Sequence, residues 1–180
     1  MHRLTEKALR INSRLLLACT LLLAAPLLAA DKAQREPVTI EADSAMFDER
    51  KGQSIYTGHV VITRGGMQIR ADEVTVYTEE DALKRIVANG EPVRFRRQRE
   101  GEKEIRGEAR RLDYRANDEH LLLQDQAWLT QGGNRFSGQR IEYDMPRERV
   151  TAAQAGDGSQ RVKVTIQPKA KSPSPENGQP

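Results

Sequence analysis

Four times along the chain a small residue is followed, three and five positions later, by apolar or aromatic side chains. The copies are Ala42 with Ala45 and Phe47, Ala71 with Val74 and Val76, Ala109 with Leu112 and Tyr114, and Gly138 with Ile141 and Tyr143. Their anchors lie 29, 38 and 29 residues apart, a period at which each unit buries its apolar face only against its neighbours. The offset is strand alternation, since side chains two apart share a face. The chain is therefore expected to be all-β, a solenoid-like stack of strand repeats, and its function is to be sought on a long surface.

Turn chemistry separates the strands at 48–52, 64–66, 117–118, 131–134 and 146–149, where Gly, Asn, Asp and Pro cluster. Between the anchors a second element recurs, in which a strand is interrupted and then resumes: residues 56–62 with Gly58, 87–95 with Asn89 and Gly90, and 121–129 with Asp125. Such an interruption reads as a bulge or bend. The segment from Thr78 to Gly90 also fits a capped helix. Its place in the repeat assigns it instead to a turn near Glu79 to Asp81 and a strand from Leu83.

Residues 1–30 read as a cleavable export signal, because Arg3, Lys7, Arg10 and Arg14 precede an apolar run from Leu15 to Leu28 that ends in Ala29 and Ala30. Cys19 lies inside that run, a poor place for a lipid-attachment cysteine. Residues 31–36 form a short extension, 37–168 one patterned domain, and 169–180 a Pro-rich tail expected to be disordered. Without the signal, basic and acidic residues are equal in number and no cysteine remains. The high isoelectric point thus gives no argument for nucleic acid, and a cysteine-free exported chain suits a periplasm-like compartment.

Catalytic and metal chemistry find little support. The exported part has two isolated histidines, His59 and His120, and no nucleophile-elbow, nucleotide or zinc motif; no cofactor is expected. The apolar alternation is more informative, placing on one face Val38, Ile40, Phe47, Val60, Ile62, Ile69, Val74, Val76, Val93, Phe95, Leu112, Tyr114, Leu121, Leu123, Leu129, Phe136, Ile141 and Tyr143. These residues either fill a dry core between two sheets or line a groove for an apolar chain; the pattern leaves both open. The densest basic run holds Arg94, Arg96, Arg97 and Arg99, which reads as a solvated hairpin or as phosphate contacts at a groove mouth. The first strand, near Val38 to Ala42, and the last, near Arg161 to Gln167, are open edges suited to head-to-tail strand addition.

The order and spacing of several short pieces resemble the OstA-like family of periplasmic lipopolysaccharide-transport proteins. They are Ile40-Glu41-Ala42-Asp43, Tyr56-Thr57-Gly58-His59-Val60, Ile69-Arg70-Ala71-Asp72, Gly90-Glu91-Pro92-Val93-Arg94-Phe95, Gly107-Glu108-Ala109, Leu112-Asp113-Tyr114, Leu123-Gln124-Asp125-Gln126-Ala127 and Gly138-Gln139-Arg140-Ile141. Asp125 departs from the family pattern, which has Gly there. The resemblance implies an open, twisted antiparallel β-jellyroll that shields lipid A acyl chains, with Val38, Ile40, Phe95 and Tyr114 among the lipid-facing positions. It also implies an LptC-like inner-membrane partner at the Val38 edge, and an LptD-like outer-membrane partner or another copy at the edge from Val162 to Ile166. The alternative is a periplasmic adaptor with a dry core and protein partners only.

Overall fold

In a computed structural model of the chain, the residues described are 36–154 and 161–168. The signal segment and the tail read from the sequence lie outside them, as does all but the last residue of the 31–36 extension. The described chain forms β1 (Val38–Glu41), β2 (Ser44–Asp48), β3 (Gln53–Arg64), β4 (Met67–Glu79), β5 (Ala82–Arg97), β6 (Ile105–Arg115), β7 (His120–Gln131), β8 (Asn134–Asp144), β9 (Arg149–Ala153) and β10 (Lys163–Thr165). The main path is β1-β3-β4-β5-β6-β7-β8-β10, with β2 added to β3 and β9 to β8. Every pairing is antiparallel. A 3-10 turn, Glu49–Lys51, joins β2 to β3 and closes on Gly52 at φ 56°. A Cβ on Gly52 would lie 2.4 Å from the carbonyl oxygen of Thr78, so the turn needs glycine for space as well as for conformation.

The long strands break register near their middles, between Thr57 and Val60, Arg70 and Glu73, Asn89 and Val93, Glu108 and Arg111, and Gln124 and Ala127. Residues left out of the ladder bend a strand. Left-handed backbone marks two of these bends, at Gly58 and His59 (φ 80° and 47°) and at Asp125 and Gln126 (φ 66° and 56°). The interruptions seen in the sequence are thus the bends. They divide the sheet into half I (β1, 60–64, 67–70, 93–97, 105–108, 127–131, 134–138 and β10) and half II (β2, 53–57, 73–79, 82–89, 111–115, 120–124, 140–144 and β9). The segment from Thr78 to Gly90 is strand, as its place in the repeat predicts: β4 ends at Glu79, and Glu80 and Asp81 turn at φ 49° and 58°.

The halves pack inner face to inner face. Val60, Ile62, Ile69, Val93 and Leu129 of half I join Val74, Ile86, Leu112, Leu121, Leu123 and Ile141 of half II in one buried cluster. Gly107 shows how close the approach is, because a Cβ there would come within 2.8 Å of Leu123 Cδ1 and 3.1 Å of the Trp128 carbonyl oxygen. Gly107→Ala is therefore expected to destabilise by about 1–3 kcal/mol through overpacking, with part of that cost relieved by Leu123→Val. Urea denaturation of the two single variants and the double variant measures the coupling; strictly additive effects would place the halves farther apart than this.

At the bend of β3, His59 Nδ1 lies 2.8 Å from Asp43 Oδ2, and the Asp43 N–H donates to the Gly58 carbonyl at 3.0 Å. The hydrogen bond to Asp43, with its charge, raises the His59 pKa above its ordinary 6.5. A raised folded value means that the pair stabilises fully below pH 6.5 and that this stabilisation fades as pH rises through the folded pKa. An imidazole titration followed by NMR should show His59 titrating above 6.5 and falling back toward it in Asp43→Asn. An unshifted midpoint in the parent protein would mean that the contact does not persist in solution.

Candidate functional site

Strand register joins the inward residues into rows that cross the molecule. In half I one row runs Ile40, Ile62, Ile69, Phe95, Gly107, Leu129, Phe136, Val164. In half II another runs Phe47, Ser54, Val76, Ile86, Tyr114, Leu121, Tyr143, Val150. Residues directly opposite across antiparallel strands share a face, so each row is continuous. Of these, the sequence reading put Ile40, Ile62, Ile69, Phe95, Leu129 and Phe136, and Phe47, Val76, Tyr114, Leu121 and Tyr143, on one face, and the strand register adds Gly107, Val164, Ser54, Ile86 and Val150.

Their burial changes along the rows. Val60, Ile62, Ile69, Val74, Val76, Val93, Phe95, Leu112, Tyr114, Leu123, Leu129, Ile141 and Tyr143 are buried, whereas Val38, Ile40 and Phe136 are partly buried against the cluster. Phe47 stands on the inner row yet is 67% exposed, held edge-on against Tyr56 with ring centroids 5.9 Å apart. At the far end Val162, Val164 and Ile166 are also exposed. An interior that is closed in the middle thus continues uncovered to both terminal edges. Ile86, Ile105, Met67 and Met145 belong to the same core and were missed from sequence; for Ile86, alternation with Ala88 inside the ambiguous segment was the available signal.

The basic run does not form one cluster. Arg94 and Arg96 face outward and pair with Glu108 at 3.2 Å and Glu104 at 2.6 Å. Arg97 shares the inward parity of Phe95 and is only 6% exposed. Its Nη2 lies 3.3 Å from Glu119, in the turn between β6 and β7, and 3.5 Å from Glu102 in the turn between β5 and β6. Arg99 approaches the other Glu119 oxygen at 3.9 Å. Gln131 of half I donates to the Tyr143 hydroxyl of half II at 3.1 Å. Ion pairs and this hydrogen bond therefore close the mouth opposite the bend, beside a hollow of about 350 Å³ bordered by Arg97, Glu119, Tyr143 and Met145. Burial raises the pKa of Tyr114 and, likewise, that of Tyr143, keeping both phenols neutral. The inward turn of Arg97 was readable from its two-residue spacing to Phe95, but the density of neighbouring arginines obscured it.

With this geometry in hand, comparison with known proteins is specific. Residues 39–149 match the family described as LptA/(LptD N-terminal domain) LPS transport protein. The chain belongs to this family. Among its members, the lipopolysaccharide export system protein LptH of Pseudomonas aeruginosa is 31% identical over 152 residues, covering 80% of this chain and 86% of the relative. LptA of Haemophilus influenzae is 30% identical over 162 residues, covering 88% and 93%. LptA of Escherichia coli K12 is 27% identical over 165 residues, covering 90% and 88%. The crystal structure of the P. aeruginosa LptH, described as the LptA-homologous periplasmic component of a lipopolysaccharide transport device, superposes with a TM-score of 0.69 at 29% identity, covering 76% of this chain and 99% of that one. The family's open β-architecture is thus the fold of this chain. At Asp125, where the family pattern has Gly, the left-handed bend is kept, and Gln139 donates to the Asp125 carboxylate across it.

The mouth contacts make an energetic prediction. Removing a carboxylate partner leaves the Arg97 guanidinium buried with fewer acceptors, whereas replacing Arg97 by an apolar side chain of similar length removes the charge itself. Glu119→Leu should destabilise by about 1–3 kcal/mol, and Arg97→Met by clearly less. Urea midpoints of both variants test the ordering, and a larger loss in Arg97→Met would show that the pair is net stabilising.

Proposed function

We propose that this protein is a periplasmic component of lipopolysaccharide transport, which receives lipid A acyl chains between its two half-sheets. The observation that carries this reading is the pair of largely apolar rows, broken only by Gly107 and Ser54, that run in continuous register from Ile40 and Phe47 to Val164 and Val150, with uncovered apolar side chains at both ends. A soluble domain with a closed core gains nothing from leaving Phe47, Val164 and Ile166 in water. An interior that continues into a neighbour of the same shape would cover them. Arg97 and Arg99, on displacement of Glu119, would meet anionic groups that stay outside while the chains lie within. The β1 edge is read as the seat of an LptC-like inner-membrane partner, and the β10 edge as that of an LptD-like partner or a second copy. Family membership and the likeness to a periplasmic LptH support the same reading.

The tight central packing favours a second reading, an adaptor with a dry core and protein partners only. Photo-crosslinking to lipopolysaccharide separates the two, with a photoreactive side chain at Ile40, Phe47, Phe95 or Tyr114 and at the outward controls Glu41 and Arg96. Adducts at the inward set alone are expected, strongest at the half-covered Ile40 and the exposed Phe47. Their absence from every inward position of a folded protein would leave the adaptor.

A further inference from the structure

On the outer face of half I, Arg70 stands directly opposite Arg94, and Arg96 directly opposite Arg106. Like charges facing each other across antiparallel strands destabilise a sheet, so two adjacent pairs of this kind need a counter-charge. Among the described residues the carboxylates here are too few. Arg96 and Arg106 share the single Glu104, at 2.6 and 2.8 Å, and Arg94 takes Glu108 at 3.2 Å. Glu108 also accepts from Trp128 Nε1 at 3.2 Å, and Arg70 is in none of these ion pairs. A further cation, Arg135, lies over the Trp128 ring at 4.0 Å. Half II provides the contrast: Arg85 and Arg115 also stand opposite each other, but each has its own carboxylate, Asp113 and Asp118. The surplus of half I surrounds a hollow of about 180 Å³ bordered by Arg70, Arg94, Arg96, Arg106, Trp128 and one carboxylate, Glu108, and reached also by Phe95 and Gly107 of the half I row. The four arginines are exposed, and Trp128 is half-buried.

We propose that this hollow is an anion site for a phosphate monoester group, held by the exposed Arg70, Arg94, Arg96 and Arg106 on the outer face of half I. Guanidinium groups suit phosphate because two parallel N–H donors match two of its oxygens. Arg94 and Arg96 bind their carboxylates through Nε, and their terminal nitrogens can donate to a further acceptor. A dianion in the hollow would relieve both like-charge pairs at once. The group's source is either a free phosphate or the headgroup of a lipid, and the proposal does not depend on lipid entering the interior.

The chain has one tryptophan, so the Trp128 indole N–H resonance is a built-in reporter beside the site. Inorganic phosphate, added to the intact protein at constant ionic strength with chloride as control, should shift this resonance saturably. Arg70→Gln combined with Arg106→Gln should weaken the response roughly a hundredfold, since each lost charge-assisted bond removes about a factor of ten. Phosphatidylcholine vesicles with and without phosphatidic acid form the second arm. A response to inorganic phosphate assigns a free phosphate source, and one confined to phosphatidic acid vesicles assigns a lipid headgroup. No response to either in the parent protein, or an undiminished response in the folded double variant, overturns the site. Lipopolysaccharide crosslinking at Ile40 and Phe47 is unaffected by any of these results, so the two readings fail independently.

Discussion

The bend near the middle of each long strand is the constraint on which the rest of the structure depends. A wide antiparallel sheet has two faces and two edges, and a flat one would leave an apolar face in water. By dropping residues out of the ladder at corresponding places along β3 to β7, the chain turns one face on itself. Hydrophobic burial then holds the halves together, and the residues nearest the bend must be small. Ala71, Ala88, Ala109 and Ala127 are all buried beside the register breaks. Bulky buried side chains stand farther from the bend: Phe95 and Leu129 on one side, Tyr114 and Tyr143 on the other. The small-then-large order of the repeat thus follows distance from the bend.

Folding a sheet in this way buries a face but removes no edge. Half I still ends in β1 and β10, and half II in β2 and β9. The inner rows pass through these edges, so backbone donors and acceptors occur there together with apolar side chains such as Phe47 and Val164. Unpaired strand edges combined with uncovered apolar surface are what natural β proteins usually avoid. Their presence at both ends of one interior distinguishes this architecture from a closed sandwich of similar size.

Much of this was legible in the sequence, and for physical reasons. A side-chain period of two cannot be imitated by a helix over a whole repeat, which is why 78–90 was correctly read as strand despite good helix-capping residues. The interruptions at Gly58 and at Asn89 and Gly90 announced bends because little else explains a break inside apolar alternation. What stayed hidden depends on neighbours far away in sequence. Phe47 follows the same pattern as Val76, yet β2 lies at an edge with nothing beyond it, so the same inward direction leads to solvent. Arg97 has the inward parity of Phe95, and only the approach of Glu119 from another turn makes its burial tolerable. The left-handed backbone at Asp125 was not expected from a residue with a Cβ, although Asp enters that region more readily than most residues.

Charge is segregated in this fold even though basic and acidic residues are equal in number from residue 31 onward. The bend carries exposed Asp43, Asp72, Glu73 and Glu91, tied locally to His59, to the Glu91 N–H and to Asn89. The outer face of half I carries the arginine surplus, and the mouth holds Arg97 and Arg99 against Glu102 and Glu119. The ion pairs of the half I arginines run to Glu108 and Glu104 and not to the carboxylates at the bend, so net neutrality does not describe what an approaching anion meets. At the mouth the opposite holds, because each guanidinium lies within ion-pairing distance of a carboxylate from another turn. An anion arriving there must displace Glu119, whereas one arriving at half I meets four exposed arginines that share two carboxylates. The two arginine groups, adjacent in sequence, thus differ in what they ask of a ligand, and strand alternation alone sets that difference.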